Sequence, residues 1–145
     1  MQEEIWVKGF ALGLAEAGAD VAVTDLNTES GQLDAVSEEI KAMGRKSISI
    51  KTDISSQADV KNMIDTVMQE FGGIDILMNV AVMYHMKSVI DLDEESWEKL
   101  SNVNLKGYWL TIQEVSPIMK RQGSGSIINL TSRGGLKGSC RQSYG

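Results

Sequence analysis

The chain is short of several things, and each shortage excludes something. It has a single cysteine, Cys140. No disulfide can form within the chain, and a reducing compartment fits. It has one histidine, His85, in a loop-like stretch with Tyr84, Met83 and Met86. One histidine and one cysteine do not make a convincing metal site, so none is expected. No apolar run approaches the ~18 residues of a membrane-spanning helix. Met-Gln-Glu-Glu at the start lacks the basic stretch and apolar core of a secretory signal. Basic residues are outnumbered 14 to 20, for a net charge of −6. That argues against nucleic acid or an anionic membrane as partner. A cytoplasmic location is the default expectation. There is no internal repeat, low-complexity run or linker, so the 145 residues are read as one domain, 1–145.

What is present is an alternation of short apolar runs and amphipathic stretches. Residues Glu4 to Ala17 predict a helix with Phe10, Leu14 and Ala17 on one face and Gly18 as its stop. Gly9 within it costs about 1 kcal/mol against Ala, tolerable where the helix lies close to a sheet. Val21 to Thr24 predicts a strand ending on Asp25. Asn27 or Thr28 can cap the next helix, which buries Leu33, Val36, Ile40 and Met43 and stops at Gly44. Ile48 and Ile50 mark a strand running to Asp53. Ser56 and Asp59 resemble a capping box before a helix that buries Val60, Met63, Ile64, Val67 and Phe71. Gly72-Gly73 ends it, and Ile74 to Met78 is the next strand, closing on Asn79. An irregular stretch, 80–91, follows. Leu92 or Asp93 opens a helix through Trp97 and Leu100. Asn102 to Arg121 is a longer helix with Pro117 as a kink. Ile127, Ile128 and Leu130 form a last buried strand, with Ser132 where it ends. Strands alternating with helices imply a parallel sheet joined by right-handed crossovers, and open α/β sheets bind ligands at the carboxyl ends of their strands.

The residues at those strand ends carry a resemblance. Asp53-Ile54, Asn104 within Asn-Val-Asn-Leu-Lys-Gly, Ser132, and Tyr144 twelve residues later stand in the order and spacing of the short-chain dehydrogenase/reductase family. Asn79-Val80-Ala81-Val82 occupies the place of that family's Asn-Asn-Ala-Gly; Asn79 and Ala81 match, Val80 and Val82 depart. The resemblance, from about Lys8 to Tyr144, implies a Rossmann-like doubly wound parallel sheet. The sheet is incomplete, with its first strand and C-terminal strands missing. It implies reversible NAD(P)-dependent interconversion of a secondary alcohol and a ketone, on a small-molecule substrate. Ser132 would orient the carbonyl and Tyr144 would move the proton. Asn104 would sit at a helix distortion that carries a water relay. Thr131 is an alternative hydroxyl. Asp53 and Ile54 would lie beside adenine, with Asn79 and Ala81 also at the cofactor. Asp25 would hold the ribose hydroxyls and repel a 2′-phosphate, favouring NAD over NADP. Its structural alternative is a helix cap or a solvated loop acid; for Asp53 it is a turn acid at the next helix.

Two departures bear on activity. A phenol with a pKa near ~10 needs a nearby cation to act at neutral pH. The family places a Lys four residues beyond the tyrosine, and this sequence stops at Gly145. Arg133 and Arg141 are close in sequence, with no ground for placing either at the phenol. The family's glycine-rich phosphate loop falls, by register from Gly9-Phe10-Ala11-Leu12, on Ile5, Trp6 and Val7, where there is no glycine. Glu3 and Glu4 there complement a helix dipole. Weak or absent cofactor binding and little or no activity alone are therefore expected of a truncated member. In the resembled family the missing strand lies between those of Val21–Thr24 and Ile74–Met78. Its loss should leave a gap or make the remaining strands close up. The alternatives are a non-catalytic piece that associates, with a relative or as a homo-oligomer, through the 102–121 helix; an incomplete gene model; and a nucleotide-dependent methyltransferase, which the Ser132–Tyr144 pair opposes. Trp97, Tyr108 and Trp109 are read as packing or interface residues.

Overall fold

A computed structural model describes residues 2–84, 88 and 90–132, with side chains from residue 7 onward. The elements alternate as expected: α1 (Gln2–Glu16), β1 (Val21–Asp25), α2 (Gln32–Ala42), β2 (Ser47–Lys51), α3 (Gln57–Phe71), β3 (Ile76–Asn79), α4 (Glu94–Ser101), a π-helical turn (Asn102–Gly107), α5 (Tyr108–Gln122) and β4 (Ser126–Asn129).

The strands make two parallel pairs, not one sheet. β1 pairs with β2, Val21 opposite Ser47 through Asp25 opposite Lys51. β3 pairs with β4, Ile76 opposite Ser126 through Asn79 opposite Asn129. No ladder joins β1 to β3 among the described residues. The closing-up of the strands expected from the sequence is therefore not found among the described residues. One apolar cluster nevertheless spans both pairs. Val60, Met63, Ile64 and Val67 of α3 and Leu110, Val115, Ile118 and Met119 of α5 are packed with Ile50 and Ile74. Ala22, Ile48 and Leu77 lie against them. Val60 and Val115 are wholly buried, each worth about 1.5–3 kcal/mol against exposure. A second cluster covers the other face of β1: Val21 and Val23 meet Ala11, Ala15, Leu33 and Ile40. β1 thus has helices on both sides, which explains its Val-Ala-Val run.

Several local expectations are corrected. α1 buries Ala11 and Ala15, while Ala17 is exposed and Phe10 and Leu14 only partly covered. The helix's fully buried positions against β1 are small, Ala11 and Ala15, with Leu12 and Leu14 partly buried against the same cluster. Gly9 is exposed and nothing lies within 4 Å of a Cβ placed there, so close packing does not explain it. α2 starts at Gly31 in the left-handed region, φ 68°, without a side-chain cap; Asn27 instead accepts the Glu29 N–H in the preceding turn. Met43 follows the last turn of α2 and is exposed. β2 stops at Lys51, short of Asp53, and β3 begins at Ile76, two residues later than expected. At α3, Ser56 Oγ accepts the Asp59 N–H at 3.3 Å. Asp59 returns its carboxylate to the Asp53 N–H at 3.3 Å, not to the Ser56 N–H as a capping box would. Asp93, not Leu92, caps α4, accepting the Ser96 N–H at 2.8 Å. Pro117 sits inside α5 without ending it. Gly72 and Gly123 end α3 and α5 with φ of 81° and 76°, a conformation that costs glycine least.

Candidate nucleotide and substrate site

The strand ends are built from turn chemistry. Thr52 donates its N–H to the Asp25 carbonyl at 2.9 Å, tying the ends of β1 and β2 together. The Asp25 carboxylate accepts the Asn27 N–H through Oδ1 at 2.8 Å, so Asp25 does shape its own loop. Its Oδ2 has no bond among the described residues, and the side chain is exposed. Asp53 accepts both the N–H and the Oγ of Ser55, at 2.9 and 2.6 Å. The turn role weighed for Asp53 is therefore real, and the carboxylate is half-buried by it. Ile54 runs into the π-helical turn. A Cβ placed on Gly107 would stand 2.8 Å from Ile54 Cδ1 and Cγ1 and 3.2 Å from its carbonyl oxygen. Only a glycine lets that turn come so close.

Asn104 lies in the π-helical turn, where the distortion foreseen for it occurs. A π turn adds a residue and breaks the i→i−4 ladder, and such turns gather at functional sites. The Asn104 carboxamide grips one backbone unit at both of its polar atoms. It accepts the Met83 N–H at 2.8 Å and donates to the Met83 carbonyl at 2.7 Å. The side chain therefore fixes the stretch after β3, in which Ala81 and Val82 are exposed.

Asn79 is 6% exposed and held at both ends of its amide. Nδ2 donates to Asn129 Oδ1 at 2.9 Å, and Oδ1 stands 2.9 Å from Thr111 Oγ1. Thr111 is also 2.9 Å from the Tyr108 carbonyl, so its single proton serves one acceptor at a time. A third clamp closes the other end of the strand. The Gln122 amide donates to the Ile74 carbonyl and accepts the Ile74 N–H, both at 3.0 Å. The helix from Asn102 to Gln122 thus holds the β3 region at its start, its end and the loop beyond. Thr111, Gln122 and Asn129 were not anticipated. No local signal marked Thr111, because the π turn between it and Asn104 adds a residue and breaks the spacing by which a common helical face is recognised. Asn129 closes its strand as Asn79 closes the neighbouring one.

Ser132 is exposed, three residues past β4. Tyr144 lies outside the described residues, as do His85, Met86, Arg133, Cys140 and Arg141. The structure therefore brings Ile54, Asn79 and Asn104 against one helix and puts Asp25 and Asp53 at the joined ends of β1 and β2. Tyr108 is half-buried, and burial raises its phenol above the ordinary 10.0. Among the described residues no three His, Cys, Asp or Glu side chains gather to hold a metal ion. No helix among them is long and apolar enough to cross a membrane. Positions 5–7, matched in sequence to the phosphate loop, lie inside α1.

Parallel strands with helices between them, and polar residues collected at strand ends, define a Rossmann-like α/β fold. The short chain dehydrogenase family model matches residues 8–144, and the chain belongs to that family. It is 40% identical over 131 residues to the 3-oxoacyl-(acyl-carrier-protein) reductase FabG of Staphylococcus epidermidis, covering 90% of this chain and 53% of that protein. To galactitol 2-dehydrogenase of Agrobacterium fabrum it is 34% identical, covering 90% of this chain and 49% of that protein. The crystal structure of NAD+-bound xylitol dehydrogenase superposes with a TM-score of 0.87 at 29% identity, over 95% of this chain and 52% of that one. A short-chain type dehydrogenase/reductase from Mycobacterium marinum gives 0.86 at 34% identity, over 94% and 55%. The chain spans about half the length of the relatives it matches.

Proposed function

We propose that this chain carries the adenosine side and part of the catalytic side of a short-chain dehydrogenase/reductase site for a nicotinamide dinucleotide. The reaction class is interconversion of a secondary alcohol and a ketone. Asp25 meets the adenosine ribose and Asp53 with Ile54 flank adenine. Asn79 and Ala81 line the cofactor; Asn104, Ser132 and Tyr144 serve the reacting carbonyl. The observation that carries this reading is Asn104 within a π-helical turn, pinned to the Met83 backbone. A polar residue with no task beyond solvation needs neither the distortion nor the two-point grip.

The 145-residue chain alone has little or no activity on this reading. Pyrophosphate is bound by backbone N–H groups at a helix start, where glycine lets the phosphate approach. Here positions 5–7 are Ile, Trp and Val inside a helix, with their N–H groups turned to helical carbonyls. A carboxylate at Asp25 favours NAD over NADP through repulsion of a 2′-phosphate. The test is initial-rate measurement of NADH formation with a panel of secondary alcohols and of NADH consumption with ketones. Turnover at the ordinary ~1–10³ per second by the chain alone contradicts the inactivity.

A second reading has its own observation. Leu105 and Trp109, four residues apart on one helical face, are 62% and 55% exposed, and Trp97 is 54% exposed. Such apolar groups, spaced along one helical segment, suit helix-to-helix pairing, with a second copy or with a relative. Size-exclusion chromatography with light scattering distinguishes monomer from dimer, and a strictly monomeric chain removes the self-association form of this reading.

A further inference from the structure

The π-helical turn has no cause in its own sequence. Asn-Val-Asn-Leu-Lys-Gly contains no proline, and the residues on either side of its middle, Asn102 and Tyr108, keep ordinary helical backbone at φ −65°, ψ −36° and φ −63°, ψ −41°. A regular ladder from α4 into α5 is the state that helix formation favours, and a π turn inside a helix needs something to hold it. The turn is met from outside the helix at Asn104, by the Met83 backbone, and at Gly107, by Ile54. The first contact is what the distortion serves. The second is a candidate for its cause.

Ile54 stands on a rigid base. The Asp53 carbonyl accepts the Ser56 N–H at 3.0 Å, and the Asp53 carboxylate accepts the Ser55 N–H and hydroxyl at 2.9 and 2.6 Å. The Asp53 N–H is itself taken by Asp59 of α3 at 3.3 Å. From that turn the Ile54 side chain reaches the place where a residue other than glycine would carry its Cβ, 2.8 Å from Ile54 Cδ1 and Cγ1. Glycine is the poorest helix former after proline, so its presence at the end of the π turn answers a demand from outside the helix.

We propose that Ile54 is a positioning residue for Asn104: its side chain, seated against Gly107, wedges the π-helical turn in the form that brings the Asn104 carboxamide to Met83. Relaxation to a regular ladder changes the angle about the helix axis between Asn104 and Thr111. The Met83 grip and the contact of Thr111 with Asn79 then no longer fit together. The functional meaning rests on the assignment of Asn104 to the reacting carbonyl. On that assignment Ile54, at the adenine, also sets the amide at the other end of the site.

The test follows amide hydrogen exchange by NMR in the whole 145-residue chain without nucleotide or substrate. Ile54→Ala should quicken exchange at Met83 at least about fivefold relative to the buried Val115 amide, and move the Asn104 Nδ2 protons toward the shifts of a solvated amide. Ile54→Val keeps Cγ1 and loses Cδ1, so the same ratio should rise only about twofold. This milder variant decides the matter if Ile54→Ala does not fold. Ile64→Ala opens a cavity in the same apolar cluster away from the turn, and should change Met83 and Val115 by the same factor. Two results overturn the proposal: Met83 exchange that tracks Val115 in the Ile54 variants, or an equal rise of the ratio in Ile64→Ala. Either would make Ile54 a packing residue alone and leave the enzymatic reading where it stands, because no step of the measurement involves binding or turnover.

Discussion

Replacing Thr111 with Val isolates one hydrogen-bonded chain at the centre of the site. The substitution keeps shape and removes the hydroxyl that stands 2.9 Å from Asn79 Oδ1. Thr111 and Asn79 are 2% and 6% exposed, so water does not readily replace the donor. Leaving a buried acceptor unpaired costs roughly 1–3 kcal/mol. The upper part of that range applies because Asn79 Nδ2 is already committed to Asn129. The amide cannot turn over without breaking the second bond. The assay is urea unfolding followed by far-ultraviolet circular dichroism. With a slope of about 1–2 kcal/mol/M, the midpoint should fall by roughly 1–3 M with the slope unchanged. Thr111→Ser retains the hydroxyl and loses one methyl group, so its midpoint should fall by about half as much or less. A double-mutant cycle with Asn79→Leu should give a coupling of at least about 0.5 kcal/mol. A Thr111→Val chain within ~0.3 kcal/mol of wild type would refute the reasoning, because it would mean that the Asn79 oxygen never depended on Thr111.

Three other perturbations follow from the geometry. Gly107→Ala places a Cβ 2.8 Å from two Ile54 carbons. The overlap should cost about 1–3 kcal/mol despite alanine's better helix propensity, and Ile54→Ala in the same chain should recover most of it, measured by thermal unfolding. Asn104→Ala removes both bonds to Met83; exchange of the Met83 amide should quicken about tenfold or more while core amides such as Val115 hardly change. Tyr108 is pushed above the ordinary phenol value by burial, so the folded state holds its proton where the unfolded state has lost it. Its contribution is complete below pH 10 and is lost as pH rises through the folded value. Tyr108→Phe should flatten the fall in stability above pH 10, as read from urea midpoints across pH 9–11.

Periodic apolar spacing made the element order legible, because burying one face of each helix and both faces of β1 requires it. Val60, Met63, Ile64 and Val67 are buried together as their 3–4 spacing demands. The burial of Ala11 and Ala15 was not legible. Small residues give no amphipathic contrast, so the sequence does not mark them as the positions buried most deeply against β1. Strand ends shifted by two residues at β2 and β3 because Asp53 puts its backbone groups into the turn before α3 and Ile74 puts its own into the Gln122 clamp. The places of the residues that a motif names were legible: Asp25, Asp53, Ile54, Asn79, Ala81, Asn104 and Ser132 all lie at or just past strand ends or in the π turn. The polar clamps by Thr111, Gln122 and Asn129 were not, since each joins positions 32 to 50 residues apart and no local pattern marks them. The division of the strands into two pairs is a consequence of which edges have partners, a property no single segment carries.

Calorimetric titration of the 145-residue chain with NAD, with NADP in parallel, addresses the central claim most directly. Asp25 and Asp53 stand at the joined ends of β1 and β2, whereas positions 5–7, matched to the phosphate loop, are Ile, Trp and Val inside α1. The expected result is no saturable heat below about 1 mM nucleotide, which corresponds to less than about 4 kcal/mol of binding. Binding of NAD with a dissociation constant in the micromolar range would contradict it, since the phosphates would then be held without the backbone cradle on which the account depends.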